Sequence, residues 1–282
     1  MDFKRDYKRI LTIQDISCFG QCSLTVALPI LSACGVETVI LPSAVLSTHT
    51  GGFSGFNVRD LTDDIPKITA HWKKEGIDFD AIYTGYLGSL RQIDMVCEIF
   101  NTLTRENGIK IVDPAMADNG KLYYGFTEEY ASAMARLCAK ADIVIPNITE
   151  ACFMTGLEYK EKYDEAYVSE VLSALEAKGM SNIVLTGVTY NEETTGVVVK
   201  VNGKTEYYKH YRFPVGSHGT GDIFASAFSG ALLRGNSEYD SARIAANYTL
   251  RCIENTQGDE SHRYGVKFET AIPYLLKELG AE

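Results

Sequence analysis

Val215-Gly216-Ser217-His218-Gly219-Thr220-Gly221-Asp222-Ile223-Phe224 is the stretch on which the fold turns. It runs into Ala225-Ser226-Ala227-Phe228-Ser229-Gly230-Ala231-Leu232-Leu233, which lacks Pro and is rich in Ala and Leu. Such a run predicts a helix buried on most of its surface. Gly219, Thr220 and Gly221 then stand where that helix begins, with unpaired N–H groups and the positive end of the dipole converging on them. Glycines let a ligand approach the backbone closely, so the place suits an anion, phosphate above all. Asp222 in the first turn has a local explanation, because a carboxylate there favours the dipole. Beside a phosphate cradle it also reads as a base for an attacking hydroxyl. Two familiar phosphate motifs are absent: no G-x-x-x-x-G-K-[ST] occurs, and G-x-G-x-x ends here in Phe224 rather than Gly.

Working outward, 282 residues are enough for one large α/β domain or two small ones, with a substantial core. The charge balance, 27 basic against 37 acidic residues for a net of -10, excludes nucleic acid or an anionic membrane as a bulk partner. Seven cysteines are scattered at 18, 22, 34, 97, 138, 152 and 252, with no second pair or His cluster beside Cys18 and Cys22. That spacing reads as reduced thiols rather than zinc. No signal-like or membrane-spanning apolar run is present, so a soluble cytoplasmic protein is expected.

In chain order, Arg9 to Gln14 reads as a first strand, with Asp15 to Gly20 turning the chain. Ser23 to Ala33 reads as a helix ending at Gly35, and Glu37 to Pro42 as a second strand. Strand, helix, strand suggests a parallel sheet, whose ligands gather at the carboxyl ends of strands, near Asp15 and Ser17. Ser43 to Phe56 has the composition of a loop, and Asp60 to Glu75 that of a helix. Ala81 to Thr84 is a strand running into Gly85-Tyr86-Leu87-Gly88-Ser89, and Ile93 to Glu106 a helix. Lys110 to Val112 is a strand ending in Asp113-Pro114, with Asp118 in the loop beyond. Two acids beside a polyphosphate suggest Mg²⁺. Asp142 to Ile145 is a strand, after which Asn147 and Glu150 make a capping box at the head of the next helix. Glu165 to Lys178 is a helix, and Asn182 to Gly187 a strand that includes Thr186. Thr195 to Val201 and Lys204 to Arg212 alternate around Asn202-Gly203, a hairpin signal. Tyr239 to Asn255 and Lys267 to Leu279 close the chain as helices.

From Ile13 to Leu233, five motifs in this order resemble the ribokinase-like superfamily of small-molecule kinases, and within it the vitamin B6 (pyridoxal, pyridoxine, pyridoxamine) kinases. They are Asp15 to Ser17 after the first strand, Ser47-Thr48-His49-Thr50, Gly85-Tyr86-Leu87-Gly88-Ser89, Asp113-Pro114 to Asp118, and Gly219-Thr220-Gly221-Asp222. Asn147 to Glu150 matches the superfamily's N-x-x-E. The resemblance implies a ribokinase-like three-layer sandwich over 1–282, with a mostly parallel sheet flanked by helices and a late antiparallel hairpin. It implies ATP-dependent phosphorylation of a hydroxymethyl group on a pyridine ring. By similarity Asp222 is the base and Gly219, Thr220 and Gly221 hold the transferred group. Asp15, Ser17, His49, Thr50 and Tyr86 surround the substrate beneath a lid at 43–56. Asn147, Glu150, Thr186 and the glycine turn serve the nucleotide, and Asp113, Asp118 and Glu150 serve Mg²⁺. ATP and Mg²⁺ are the implied cofactors, with a monovalent cation as an auxiliary ion, and the family's typical state is a homodimer. Two departures stand out, Asp15 where the family usually has Ser and Ala117 where it usually has Gly. Ser217-His218-Gly219-Thr220-Gly221 also resembles the hydroxymethylpyrimidine kinases, although Asp222 stands where that group usually has Cys. A sugar kinase fits less well, since its glycine-rich N-terminal pattern is missing. A non-catalytic ligand-binding protein on the same fold would have no reason to keep Asp222 with Asp113, Asp118 and Glu150.

Overall fold

The computed structural model describes residues 7–213 and 218–281. Val215, Gly216 and Ser217, quoted above, lie outside that range. The chain opens with β1 (Arg9–Ser17), α1 (Leu24–Ala33), β2 (Glu37–Leu46) and β3 (Val58–Asp60). It continues through α2 (Ile65–Lys74), β4 (Phe79–Thr84), α3 (Leu90–Thr102) and β5 (Thr104–Val112). A small hairpin, β6 (Ala117–Asp118) and β7 (Lys121–Leu122), precedes α4 (Glu128–Cys138), β8 (Ile143–Val144), α5 (Ile148–Thr155) and α6 (Glu165–Ala177). Last come β9 (Ile183–Val188), β10 (Thr194–Val201), β11 (Lys204–Tyr211), α7 (Thr220–Leu233), α8 (Glu238–Thr256) and α9 (Ile272–Glu278).

The main sheet has nine strands in the order β11-β10-β9-β8-β5-β4-β1-β2-β3. From β9 to β2 all neighbours are parallel, while β10, β11 and β3 are antiparallel additions. Burial alternates across the pleat. Leu11, Ile13, Ile82, Val112 and Leu185 face one core with α3, α4 and α6. Ile10, Ala81, Tyr83, Ile111 and Val184 face the other with α1, α7 and α8. Both faces are covered, as a parallel sheet requires. The result is the three-layer architecture expected, with the late hairpin turning at Asn202 (φ 52°) and Gly203 (φ 78°).

Three boundaries differ from the sequence reading. β1 runs on through Asp15 to Ser17 with a register shift after Gln14, so these residues point from a strand end rather than a turn. Ser43 to Leu46 extend β2, because β3 pairs back on them, leaving 47–57 as the loop. Thr104 to Glu106 begin β5 rather than ending α3, since Phe79 takes Thr104 as its partner before the register shifts. The chain leaves β1 for β2 on one side and reaches β4 on the other. The β1–β4 boundary is therefore the switch point, where the carboxyl ends of neighbouring strands open a crevice for ligands.

Candidate active site

The glycine turn lies against that crevice. Gly219 is the N-cap of α7 in a left-handed conformation (φ 77°), and a Cβ there would come 1.8 Å from the Gln21 carbonyl oxygen. Only glycine fits, so the turn packs directly on the backbone of the β1–α1 loop. Gly221, two residues on, has nothing within 4 Å of where a Cβ would stand. Gly219 gives close packing behind the turn, and Gly221 leaves space in front of it, at the N-terminal turn of α7 where the helix dipole favours an anion.

Acidic side chains converge on the same edge. Asp15 is buried at the end of β1 and accepts a hydrogen bond from Ser17 Oγ at 2.9 Å. Burial raises its carboxyl, against the pull of the Ser23 and Ser17 hydroxyls. Asp222 lies one strand end away, partly exposed at the head of α7. Burial pushes its carboxyl up to about 7, the Ser23 amide holds it down, and the charge of Asp15 adds to the rise. Because Asp222 still faces the open cleft, water moderates this shift. Desolvation and a second acid thus oppose the helix dipole, which favours the ionised carboxylate. Asp113, just past β5, is buried, and desolvation followed by Glu150 and Asp222 raises its carboxyl well above the usual range.

Glu150 caps α5 as expected. Asn147 Oδ1 accepts from the Glu150 amide at 2.9 Å, while Glu150 Oε2 accepts from the Asn147 amide at 2.8 Å. The other carboxylate oxygen accepts from the Met116 amide at 3.1 Å. Glu150 therefore joins the loop after β5 to the head of α5, and burial still pushes it up to about 7. Asp118 is exposed, and its two oxygens accept from the amide and the side chain of Asn119. Thr186 sits beside Asn147 through a parallel bridge, its hydroxyl donating to the Pro146 carbonyl. Among the described residues no three His, Cys, Asp or Glu side chains converge to hold a metal ion by themselves. Asp113 and Glu150 are nonetheless buried acids, and the Glu150 charge adds to the rise of the Asp113 carboxyl. This suits Mg²⁺, which takes one or two carboxylates and fills its remaining positions with water and phosphate oxygens.

The 47–57 loop reaches over the cleft. His49 is buried, its Nδ1 accepting from the Gly51 amide at 3.0 Å and its Nε2 facing the Tyr264 carbonyl at 3.1 Å. An acceptor at Nδ1 leaves the proton on Nε2, so the ring is neutral, in keeping with the lowering that burial and His218 impose. Both nitrogens hold the loop, and neither is free for substrate. At the loop's tip Gly51 lies against the His218 ring, where a Cβ would come 2.7 Å from Cε1. Thr50 beside it is exposed. Tyr86 packs against Phe126, with ring centroids 5.4 Å apart, and burial and Asp15 raise its hydroxyl.

Tyr123, in the segment after Asp118, is a residue to which the sequence assigned no role. Its hydroxyl is raised by desolvation first and then by the charges of Glu150, Asp118, Asp113 and Asp222. Tyr123 follows the β6–β7 hairpin, which pairs Ala117 with Leu122, its amide donates to the Met116 carbonyl, and its side chain is 45% exposed.

A parallel sheet with its switch point at β1–β4, a glycine turn heading a buried helix, and an acid beside it define an ATP-dependent small-molecule kinase of ribokinase-like fold. The chain belongs to the phosphomethylpyrimidine kinase family, whose profile matches residues 28–266. It is similar to a phosphomethylpyrimidine kinase homologue from Bacteroides thetaiotaomicron crystallised with pyridoxal. That protein shares 37% identity over 96% of each chain, with a TM-score of 0.91. Pyridoxal kinase from Lactobacillus plantarum is 31% identical over 96% of this chain and 97% of its own, with a TM-score of 0.88. Pyridoxal kinase from Arabidopsis thaliana is 28% identical, covering 92% of this chain and 85% of the relative. No helix among the described residues is long and apolar enough to cross a membrane.

Proposed function

We propose that the chain transfers the γ-phosphoryl group of ATP to the 5'-hydroxymethyl group of pyridoxal, pyridoxine or pyridoxamine, in salvage of the B6 cofactor. The observation that carries this reading is the 37% identical homologue crystallised with pyridoxal, which is alike over 96% of both chains. Asp222 accepts the hydroxyl proton, since a carboxyl near 7 is in part ionised at neutral pH and is a stronger base than an ordinary carboxylate. The N–H groups at Gly219, Thr220 and Gly221 receive the charge of the transferred group. Asp15, Ser17, Thr50 and Tyr86 orient the ring, and His49 keeps the loop across them. Asn147, Glu150 and Thr186 order the nucleotide. Asp113 and Glu150, with Asp118 further out, would hold Mg²⁺, which when bound offsets the charge of the phosphate oxygens. An auxiliary monovalent cation, a homodimeric state and a cytoplasmic location complete the proposal by resemblance to the B6 kinases.

The family profile also favours a second reading, phosphorylation of hydroxymethylpyrimidine for thiamine synthesis. A screen of pyridoxal, pyridoxine, pyridoxamine and hydroxymethylpyrimidine with Mg-ATP separates the two. Higher kcat/KM for a B6 vitamer than for the pyrimidine is expected. The opposite order would transfer the assignment to the thiamine pathway, and turnover of none would overturn both.

A further inference from the structure

Gly85 to Ser89 leave β4 without regular structure, yet three consecutive residues there have a backbone group bonded by a buried side chain. The Tyr86 carbonyl accepts from Ser43 Oγ of β2 at 3.2 Å, and the Leu87 carbonyl from the Tyr130 hydroxyl of α4 at 2.6 Å. The Gly88 amide donates to Gln92 Oε1 of α3 at 2.7 Å. Side chains thus do for this segment what a sheet ladder does for a strand. Gln92 also does more than its place in the helix requires. Ser89-Leu90-Arg91-Gln92 has the spacing of a capping box, and Ser89 Oγ accepts from the Gln92 amide at 3.3 Å. In that motif the Gln side chain returns to the cap residue's own amide; here it passes on to Gly88. Its Nε2 donates to the Ser43 carbonyl at 3.0 Å and to Thr62 Oγ1 at 2.9 Å, 49 and 30 residues away. The Gly88 amide can only donate and the Ser43 carbonyl can only accept, so these partners fix which way the side-chain amide points.

We infer that Gln92 is a positioning residue that ties the Tyr86 segment to the strand pair carrying the 47–57 loop, so that the wall and the cover of the substrate cleft keep one spacing. Ser43 and Thr62 are the foot of that strand pair. The Ser43 carbonyl also accepts from the Leu61 amide at 3.1 Å, and β3 pairs with Ala44 to Leu46 of β2 just beyond. Tyr86 packs its ring on Phe126, which stacks on Tyr130 with centroids 3.9 Å apart, so Tyr130 braces the same segment from its other side. Gln92 is fully buried, with both ends of its amide bonded. An apolar side chain in its place would leave the Gly88 amide unpaired in the interior, and such a group shifts until it finds water or a new partner. The Tyr86 segment would then move against the foot of the loop. The glycine turn and the head of α5 stand on other elements and would stay where they are.

The inference rests on the role proposed for Tyr86 in holding the ring, and its test keeps the two apart. Gln92→Met removes both polar ends of the side chain. Thr62→Val keeps the side-chain shape and removes one acceptor of the Gln92 amide, and Thr62→Ser restores it. In the protein without ligands, NMR should show Gly88 amide exchange faster by about tenfold in Gln92→Met and about threefold in Thr62→Val, and parental in Thr62→Ser. KM for pyridoxine should rise about tenfold in Gln92→Met and about threefold in Thr62→Val, with KM for ATP within about twofold of the parent's. Should Gln92→Met fail to fold, the Thr62 pair decides alone. Unmoved Gly88 exchange in Thr62→Val would overturn the inference, because Thr62 reaches Gly88 through the Gln92 side chain. So would equal rises in KM for pyridoxine and for ATP, the mark of a general loosening. If Gly88 exchange moves as expected but the parent phosphorylates no vitamer, Gln92 still joins the two segments and the proposed reaction is what fails.

Discussion

Replacing Gly221 by Ala puts a methyl where the structure has open space, and the consequences for folding and for catalysis have opposite signs. No atom lies within 4 Å of the added Cβ, and Gly221 is a helical residue without a positive φ. Ala is better than Gly in a helix by about 0.5–1 kcal/mol, and near the first turn the lower figure applies. A gain of about 0.5 kcal/mol raises Tm by roughly 1–2 °C in a chain of this size. The methyl nevertheless enters the space in front of the phosphate-binding amides. Loss of one charge-assisted N–H bond, worth about 1.5–3 kcal/mol, lowers kcat/KM for ATP about 10- to 100-fold. Gly219→Ala is the contrast. Its Cβ would stand 1.8 Å from the Gln21 carbonyl at a φ of 77°, so backbone must move. Left-handed strain and overpacking together cost about 2–5 kcal/mol, and Tm falls with activity. Calorimetry and initial rates with varied ATP on both variants make the assay. A Gly221→Ala protein that is stabilised and fully active would refute the placing of phosphate on this turn.

Two more outcomes follow from the acids. Glu150→Gln should raise the Mg²⁺ concentration needed for half-maximal rate severalfold while leaving the vitamer KM alone; an unchanged Mg²⁺ dependence removes Glu150 from the metal region. The ligand-free protein should gain stability as pH falls from 8 toward 5.5, followed by Tm. Glu150 moves from 4.5 to about 7 on folding, and Asp113 and Asp222 rise too, so the fold binds these protons more tightly than the unfolded chain. That contribution is complete below the unfolded values and is lost as pH rises through about 7; for Glu150 it amounts to about 3 kcal/mol at most. A Tm that is flat or falls over that interval would contradict the upward shifts.

What the sequence revealed depended on how local the physics was. The Asn147–Glu150 capping box and the Asn202-Gly203 hairpin are legible because each is complete within a few residues. The Gly219–Asp222 turn is legible for the same reason, since glycine chemistry and a buried helix adjoin. Thr104 to Glu106 misled because their strand conformation comes from Phe79 across the sheet, not from any alternation of their own. His49 was readable as part of a loop, but its binding to Tyr264, 215 residues away, was not. The raised carboxyl of Asp222 was not legible, because the dipole is local whereas the opposing influences, burial and Asp15, arise only on folding.

The central claim is that Asp222 is the base in phosphoryl transfer to a B6 vitamer, and Asp222→Asn tests it most directly. The amide keeps the size and polarity of the side chain but cannot take the hydroxyl proton. Turnover of the parent's best vitamer with saturating Mg-ATP should fall by about 10²–10⁴. Binding of ATP and vitamer should stay close to the parent's, and Tm should not fall, because a partly desolvated acid is replaced by a neutral group. Near-parental turnover by a folded Asp222→Asn protein would contradict the account and return Asp222 to the role of a helix-start acid.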